Sequence, residues 1–84
     1  MTIPLNTAQK QLVETSMDLV PQMIRSMTRT SAYVSEEEQQ ELCQIGYLAL
    51  CRAAARFDKD RPFLPYARTL IRHAIFDYWR ETAR

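Results

Sequence analysis

Between residues 63 and 80 the apolar side chains fall in adjacent pairs, Tyr66/Ala67, Leu70/Ile71, Ala74/Ile75 and Tyr78/Trp79, separated by polar or cationic residues. A pair every four residues lies close to the 3.6-residue helical period, so one side of a helix is apolar along its whole length and must pack on something. With that side assigned to a core, Arg68, Thr69, Arg72, His73, Phe76, Arg80 and Arg84 are left over. Their spacings of three and four place them on one broad outer face, so a large aromatic ring is expected outside among cations.

The rest of the chain supplies helices for that side to pack against. Thr7 reads as an N-cap for a helix from Ala8, behind a loose leader at 1–6. Val13, Met17, Val20, Ile24 and Met27 then form one stripe, interrupted by Pro21, which cannot donate a backbone hydrogen bond. The segment is either two helices meeting near Asp18 to Pro21 or one kinked helix. Arg29 to Val34 reads as a connector. Ser35 with Glu38 forms a capping-box pattern for a helix from Glu36, whose three leading acids suit the positive end of its dipole. Leu42, Ile45, Ala49, Ala53 and Phe57 repeat at helical spacing behind them, and Gly46 inside that pattern marks a close approach of helices. The DKDRP turn at 58–62 ends this helix, because a residue before proline is driven from helical geometry.

One Gly and four Pro leave too few turn residues for a many-stranded sheet, and 46% hydrophobic content rules out wholesale disorder. The expected fold is therefore all-α, a compact bundle of three or four helices forming one domain over 1–84. No apolar run approaches a membrane span and the N-terminus lacks a secretory layout, so a cytoplasmic location is expected. Cys43 and Cys51 are eight residues apart in a helix, a rise of about 12 Å that exceeds disulfide reach, and both read as buried reduced thiols.

Catalysis has no support: there is no Gly-rich phosphate loop, no nucleophile elbow and no Cys/His spacing for a metal, so no enzyme activity and no cofactor are expected. Charge is informative through its distribution. Residues 1–51 carry three Lys/Arg against six Asp/Glu, whereas 52–84 carry eight against four, which makes the C-terminal part the candidate DNA surface. Composition alone does not separate that reading from a solvated basic face, nor does it separate a base-stacking Tyr66 from a core tyrosine.

Two stretches bear on that choice: ELCQIGYLALCRAAARFD at 41–58 and FLPYARTLIRHAIFDYWR at 63–80. In order and spacing they resemble region 2 of the bacterial RNA polymerase sigma factors, through Glu41, Leu42, Gln44, Gly46, Ala49, Leu50, Ala53, Phe57 and Asp58. The series continues with Phe63, Tyr66, Ala67, Ile71, Arg72, Ala74, Ile75, Asp77 and Tyr78. The likeness extends weakly to 12–27. It implies that the helix from Glu36 docks on the clamp helices of the polymerase's largest subunit through Glu41 and Gln44, with Tyr47 and Arg52 beside them. It implies that the last helix reads and opens the minus-ten promoter element. Tyr66 then stacks on a flipped adenine and Phe63 helps wall that pocket. Arg72, Arg68, Arg80 and Arg61 hold phosphates, and His73 and Phe76 sit where relatives meet upstream bases.

Some residues depart from the pattern. Housekeeping members carry two adjacent Trp where this chain has Thr69 and Leu70, so intrinsic strand separation should be poor. Ile45 stands where the family has an acid, and Ala49 replaces a second glycine. The Asp77-Tyr78-Trp79-Arg80 run resembles alternative sigma factors. No helix-turn-helix for the minus-thirty-five element follows within these residues, so the chain is either part of a longer protein or a stand-alone region 2 partner. The last helix has no Gly or Pro stop, which favours the longer parent chain. The competing reading is a sigma-like interaction module that binds polymerase or an anti-sigma factor without reading DNA.

Overall fold

A computed structural model describes residues 4–29 and 34–82. The described residues form four helices and no strand: α1 (Thr7–Ser16), α2 (Leu19–Thr28), α3 (Glu36–Ala55) and α4 (Phe63–Thr82). The all-α class expected from the sequence is the class observed. The cap of α1 is Asn6 rather than Thr7. Its Oδ1 accepts from the Gln9 backbone N–H at 2.8 Å while Gln9 Oε1 accepts from the Asn6 N–H at 2.9 Å. Thr7 could not close such a box, because the residue three beyond it is Lys10, which has no acceptor. The leader is accordingly not loose throughout: Leu5 is half-buried against the core.

The chain resolves the Pro21 ambiguity into two helices, with a turn at Met17 and Asp18. Pro21 then falls in the first turn of α2, where its missing N–H would have had no intrahelical partner. That break takes Met17 off the expected stripe. It is 42% exposed, whereas Val20 and Ile24 are fully buried and Val13 and Met27 half-buried. Most of the Arg29–Val34 connector lies outside the described residues. Beyond it, Ser35 caps α3 as expected, its Oγ accepting from the Glu38 N–H at 3.1 Å.

Contacts between α3 and α4 dominate the bundle, and both α1 and α2 pack on α3. The buried side of α3 is made of small residues, Gly46, Ala49, Ala53 and Ala54, flanked by Leu42 and Leu50. Against it α4 buries Phe63, Ala67, Ile71 and Ile75. In each of the pairs through Ala74/Ile75 the second member is the more deeply buried, while Tyr66, Leu70, Ala74, Tyr78 and Trp79 are half-buried at the margin. Cys43 and Cys51 are unpaired and half-buried, less deeply placed than expected.

Gly46 lies where three helices meet. A Cβ there would stand 2.7 Å from Val20 Cγ1 of α2 and 3.7 Å from Ile71 Cγ2 of α4. Val20 has no exposed surface through which to retreat. Gly46→Ala should therefore destabilise the fold by about 1–2 kcal/mol, overpacking outweighing a helix-propensity gain of about 1 kcal/mol. Val20→Ala should cost less in that background than in the wild type. Urea unfolding of the four proteins checks this, and a Gly46→Ala midpoint at or above wild type contradicts it.

Candidate nucleic-acid interface

Because α4 spends one side on the core, its opposite side is presented to solvent. Arg68, Thr69, Arg72, His73, Phe76 and Arg80 are all exposed, as their spacing requires, and Arg84 lies outside the described residues. Phe76 keeps 46% of its surface and leans on Trp79, with ring centroids 6.0 Å apart. His73, Phe76, Asp77 and Arg80 border a shallow cleft of about 300 Å³.

These side chains are not equally available to a ligand. Arg80 pairs with Asp77 at 3.3 Å, so part of its charge is answered within its own helix. Both groups are largely exposed, and water and salt keep such a pair within about 1 kcal/mol. Among the described residues Arg68 and Arg72 have no carboxylate within ion-pairing distance. Thr69 donates its hydroxyl to the Pro65 carbonyl at 3.0 Å, which turns it into the helix instead of outward.

The corner between α3 and α4 holds a second cleft, about 280 Å³, lined by Arg56, Phe57, Asp58, Arg61 and Tyr66. The turn is built locally: Asp58 Oδ1 accepts from the Asp60 N–H at 3.1 Å, and its carbonyl accepts from the Arg61 N–H at 3.0 Å. Pro62 has no N–H to give, so the chain cannot run helically from α3 into α4. Tyr66 is half-buried on the wall of this cleft: its ring packs on the core and also lines the opening.

Phe63 and Phe57 exchange their expected parts. Phe63, expected to help wall the pocket, is buried beneath it and does not line it. Phe57, expected on the buried stripe of α3, falls past that helix's end at Ala55 and lines the cleft. Their rings meet edge to face, 5.2 Å between centroids and 83° between planes. The reason is the turn: helix α3 ends two residues before Phe57, and the chain there folds back over the start of α4. Arg56, Phe57 and Asp58 as lining residues were missed by sequence reasoning. The signal available was the DKDRP turn, which brings its own flanks to the residue one turn into α4.

On α3, Glu41, Gln44 and Arg52 are exposed at spacings of three and eight and share the outer side, with Leu48 midway between Gln44 and Arg52 at 39% exposure. Tyr47 sits to one side, half-buried, along a groove of about 430 Å³ shared with Glu36, Gln39, Gln40, Cys43 and Gln44. Ile45 is half-buried against the core. Glu41 is tied to α4: Tyr78 donates its hydroxyl to Glu41 Oε2 at 3.1 Å. Partial burial, that hydrogen bond, and the charges of Glu41 and Glu38 all push the Tyr78 hydroxyl above its ordinary pKa of 10.0.

Among the described residues no group of His, Cys, Asp and Glu could hold a metal ion, and no helix is long and apolar enough to cross a membrane. The arrangement is that of an all-α bundle with one cationic and aromatic helix face exposed to solvent. A family model, Sigma-70 region 2, matches residues 12–84, from within α1 through α4. The chain belongs to that family, whose domains are non-enzymatic transcription initiation modules acting in RNA polymerase binding and minus-ten promoter recognition. No curated protein and no solved structure matches the chain.

Two measurements check this geometry. Phe63→Ala should cost about 3 kcal/mol or more by urea unfolding, as expected for an emptied core site, and Tyr66→Ala less than half of that. Equal losses would contradict the assignment of one ring to the core and the other to the cleft wall. The Tyr78 hydroxyl ionises higher folded than unfolded, so its stabilising contribution is intact below pH 10.0 and disappears as pH rises through the raised folded value. Absorbance titration of tyrosinate should show one late-titrating group that Tyr78→Phe removes; an otherwise unchanged curve shape in that variant would be inconsistent with the contact.

Proposed function

We propose that this domain docks on the clamp helices of the polymerase's largest subunit through the outer row of α3, and that α4 with its preceding turn captures the opened minus-ten strand. Glu41, Gln44 and Arg52 carry the docking, with Tyr47 at the flank and Leu48 as an apolar contact between charged ends. Charge order along the row, acidic at the start and basic at the end, gives docking its direction.

For the strand, the supporting observation is the cleft of about 280 Å³ with Tyr66 on its wall and Arg56 and Arg61 at its rim. A base is readable on its pairing edge only after it leaves the duplex, and stacking on a fixed ring recovers roughly 1–3 kcal/mol of what unstacking loses. Phe63 takes part from below, by holding Phe57 in place as the second aromatic of the lining. Arg68 and Arg72 neutralise phosphates along the outer face, with Arg80 contributing less because of Asp77. His73 and Phe76 lie farther along the same face, toward bases still paired.

Strand separation is the part of the task for which this chain is least equipped. Thr69 has its hydroxyl committed to the helix and Leu70 is half-buried in the core, so neither offers a wedge. The domain therefore captures an opened strand and relies on polymerase to open it. The same observation favours the alternative, an interaction module for polymerase or an anti-sigma factor in which strand reading is lost.

Replacement of Tyr66 and of Arg72 by Ala separates the two. Affinity for a labelled single-stranded minus-ten oligonucleotide should fall by roughly tenfold or more for Tyr66→Ala. Arg72→Ala should weaken all sequences alike and lower the salt slope by about 0.7. Unchanged affinity in both variants, with folding intact, would favour the interaction module.

A further inference from the structure

Among the described residues, one hydrogen bond joins side chains of two different helices, and it connects the two working surfaces. The Tyr78 hydroxyl, near the end of α4, donates to Glu41 Oε2 in the outer row of α3. Tyr78 is half-buried against the core, so its ring is fixed by packing, whereas Glu41 is exposed and its side chain has nothing else to fix it. The bond occupies one carboxylate oxygen and leaves Oε1 free to receive a partner's cation.

We propose that Tyr78 is a positioning residue for polymerase docking, holding the Glu41 carboxylate from α4 in the orientation in which a cationic side chain of polymerase receives it. This rests on the docking role of α3 proposed above. Immobilising a long exposed side chain at an interface ordinarily costs roughly two- to tenfold in affinity, and a carboxylate already held in place avoids that loss. Docking strength is thereby tied to the placement of the strand-facing helix, since the anchor for Glu41 is carried by α4. Glu38 and Glu41, both on α3, are the charged groups that face the hydroxyl. Their charges disfavour its ionised form, so the donor is present throughout the neutral range.

The test uses the 84-residue chain, its cognate core polymerase and a single-stranded minus-ten oligonucleotide. Tyr78→Phe should weaken polymerase binding by about two- to tenfold and leave oligonucleotide affinity unchanged. Glu41→Ala should weaken polymerase binding at least as much, and the double variant no further than Glu41→Ala alone. A fluorinated tyrosine at position 78, whose hydroxyl ionises at lower pH, keeps the ring in the core should the Phe variant fold poorly. It should bind polymerase normally while protonated and lose affinity as pH rises through its ionisation, a profile that loss of packing alone does not produce. If Glu41→Ala weakens docking but Tyr78→Phe and the fluorinated variant do not, or if the two losses simply add, the positioning role is wrong while the docking reading stands. If Glu41→Ala binds like wild type, the docking reading fails at this residue and the positioning role fails with it.

Discussion

The bundle depends on one contact, the seat of Gly46 against Val20 and Ile71. Hydrogen in place of a methyl group lets α2 and α4 approach the same turn of α3, and the alanines that follow, Ala49, Ala53 and Ala54, continue the shallow side along which α4 lies. Burial of Ile71, Ile75, Leu42 and Leu50 then becomes possible in a chain of this length, each such side chain contributing about 1.5–3 kcal/mol. Once α4 is fixed by that side, the orientation of its arginines is no longer free. The cationic face is what remains after the core has taken what it needs.

Helix α3 is consequently shared three ways. Its small residues serve α4 and α2, its outer row is left exposed to solvent, and its last turn meets α1 through Gln9 Nε2, which donates to the Ala55 carbonyl at 3.5 Å. That carbonyl belongs to the final turn, where helix acceptors otherwise lack partners. The corner that follows is therefore held from both sides, by α1 behind and by the edge-to-face pair of Phe57 and Phe63 beneath.

Much of this was legible in the residues. Paired apolar positions fixed α4 and the identity of its outer face, Ser35 fixed the start of α3, and the lone glycine announced a close approach. What periodicity could not show was where a stripe stops. Met17 and Phe57 both extend a helical pattern in the sequence, yet each falls just past a helix end, so one points to solvent and the other into a cleft. The exchange of roles between Phe57 and Phe63 arises from the turn between them, whose geometry depends on hydrogen bonds accepted by the Asp58 side chain and carbonyl rather than on hydrophobic spacing. The Tyr78 to Glu41 bond was equally invisible, because residues 37 positions apart become neighbours only when the helices are docked.

The prolines at the start of α4 bear on the timing of events. Pro62 and Pro65 leave the helix no means of growing backward, and the Asp58 bonds leave the loop little slack. As a base receptor in the proposed sense, such a cleft is assembled before its guest arrives, so entry of a base would need little rearrangement of the polypeptide. On the proposed reading the slow event belongs to the nucleic acid: the protein waits, and the lifetime of the open duplex sets the pace.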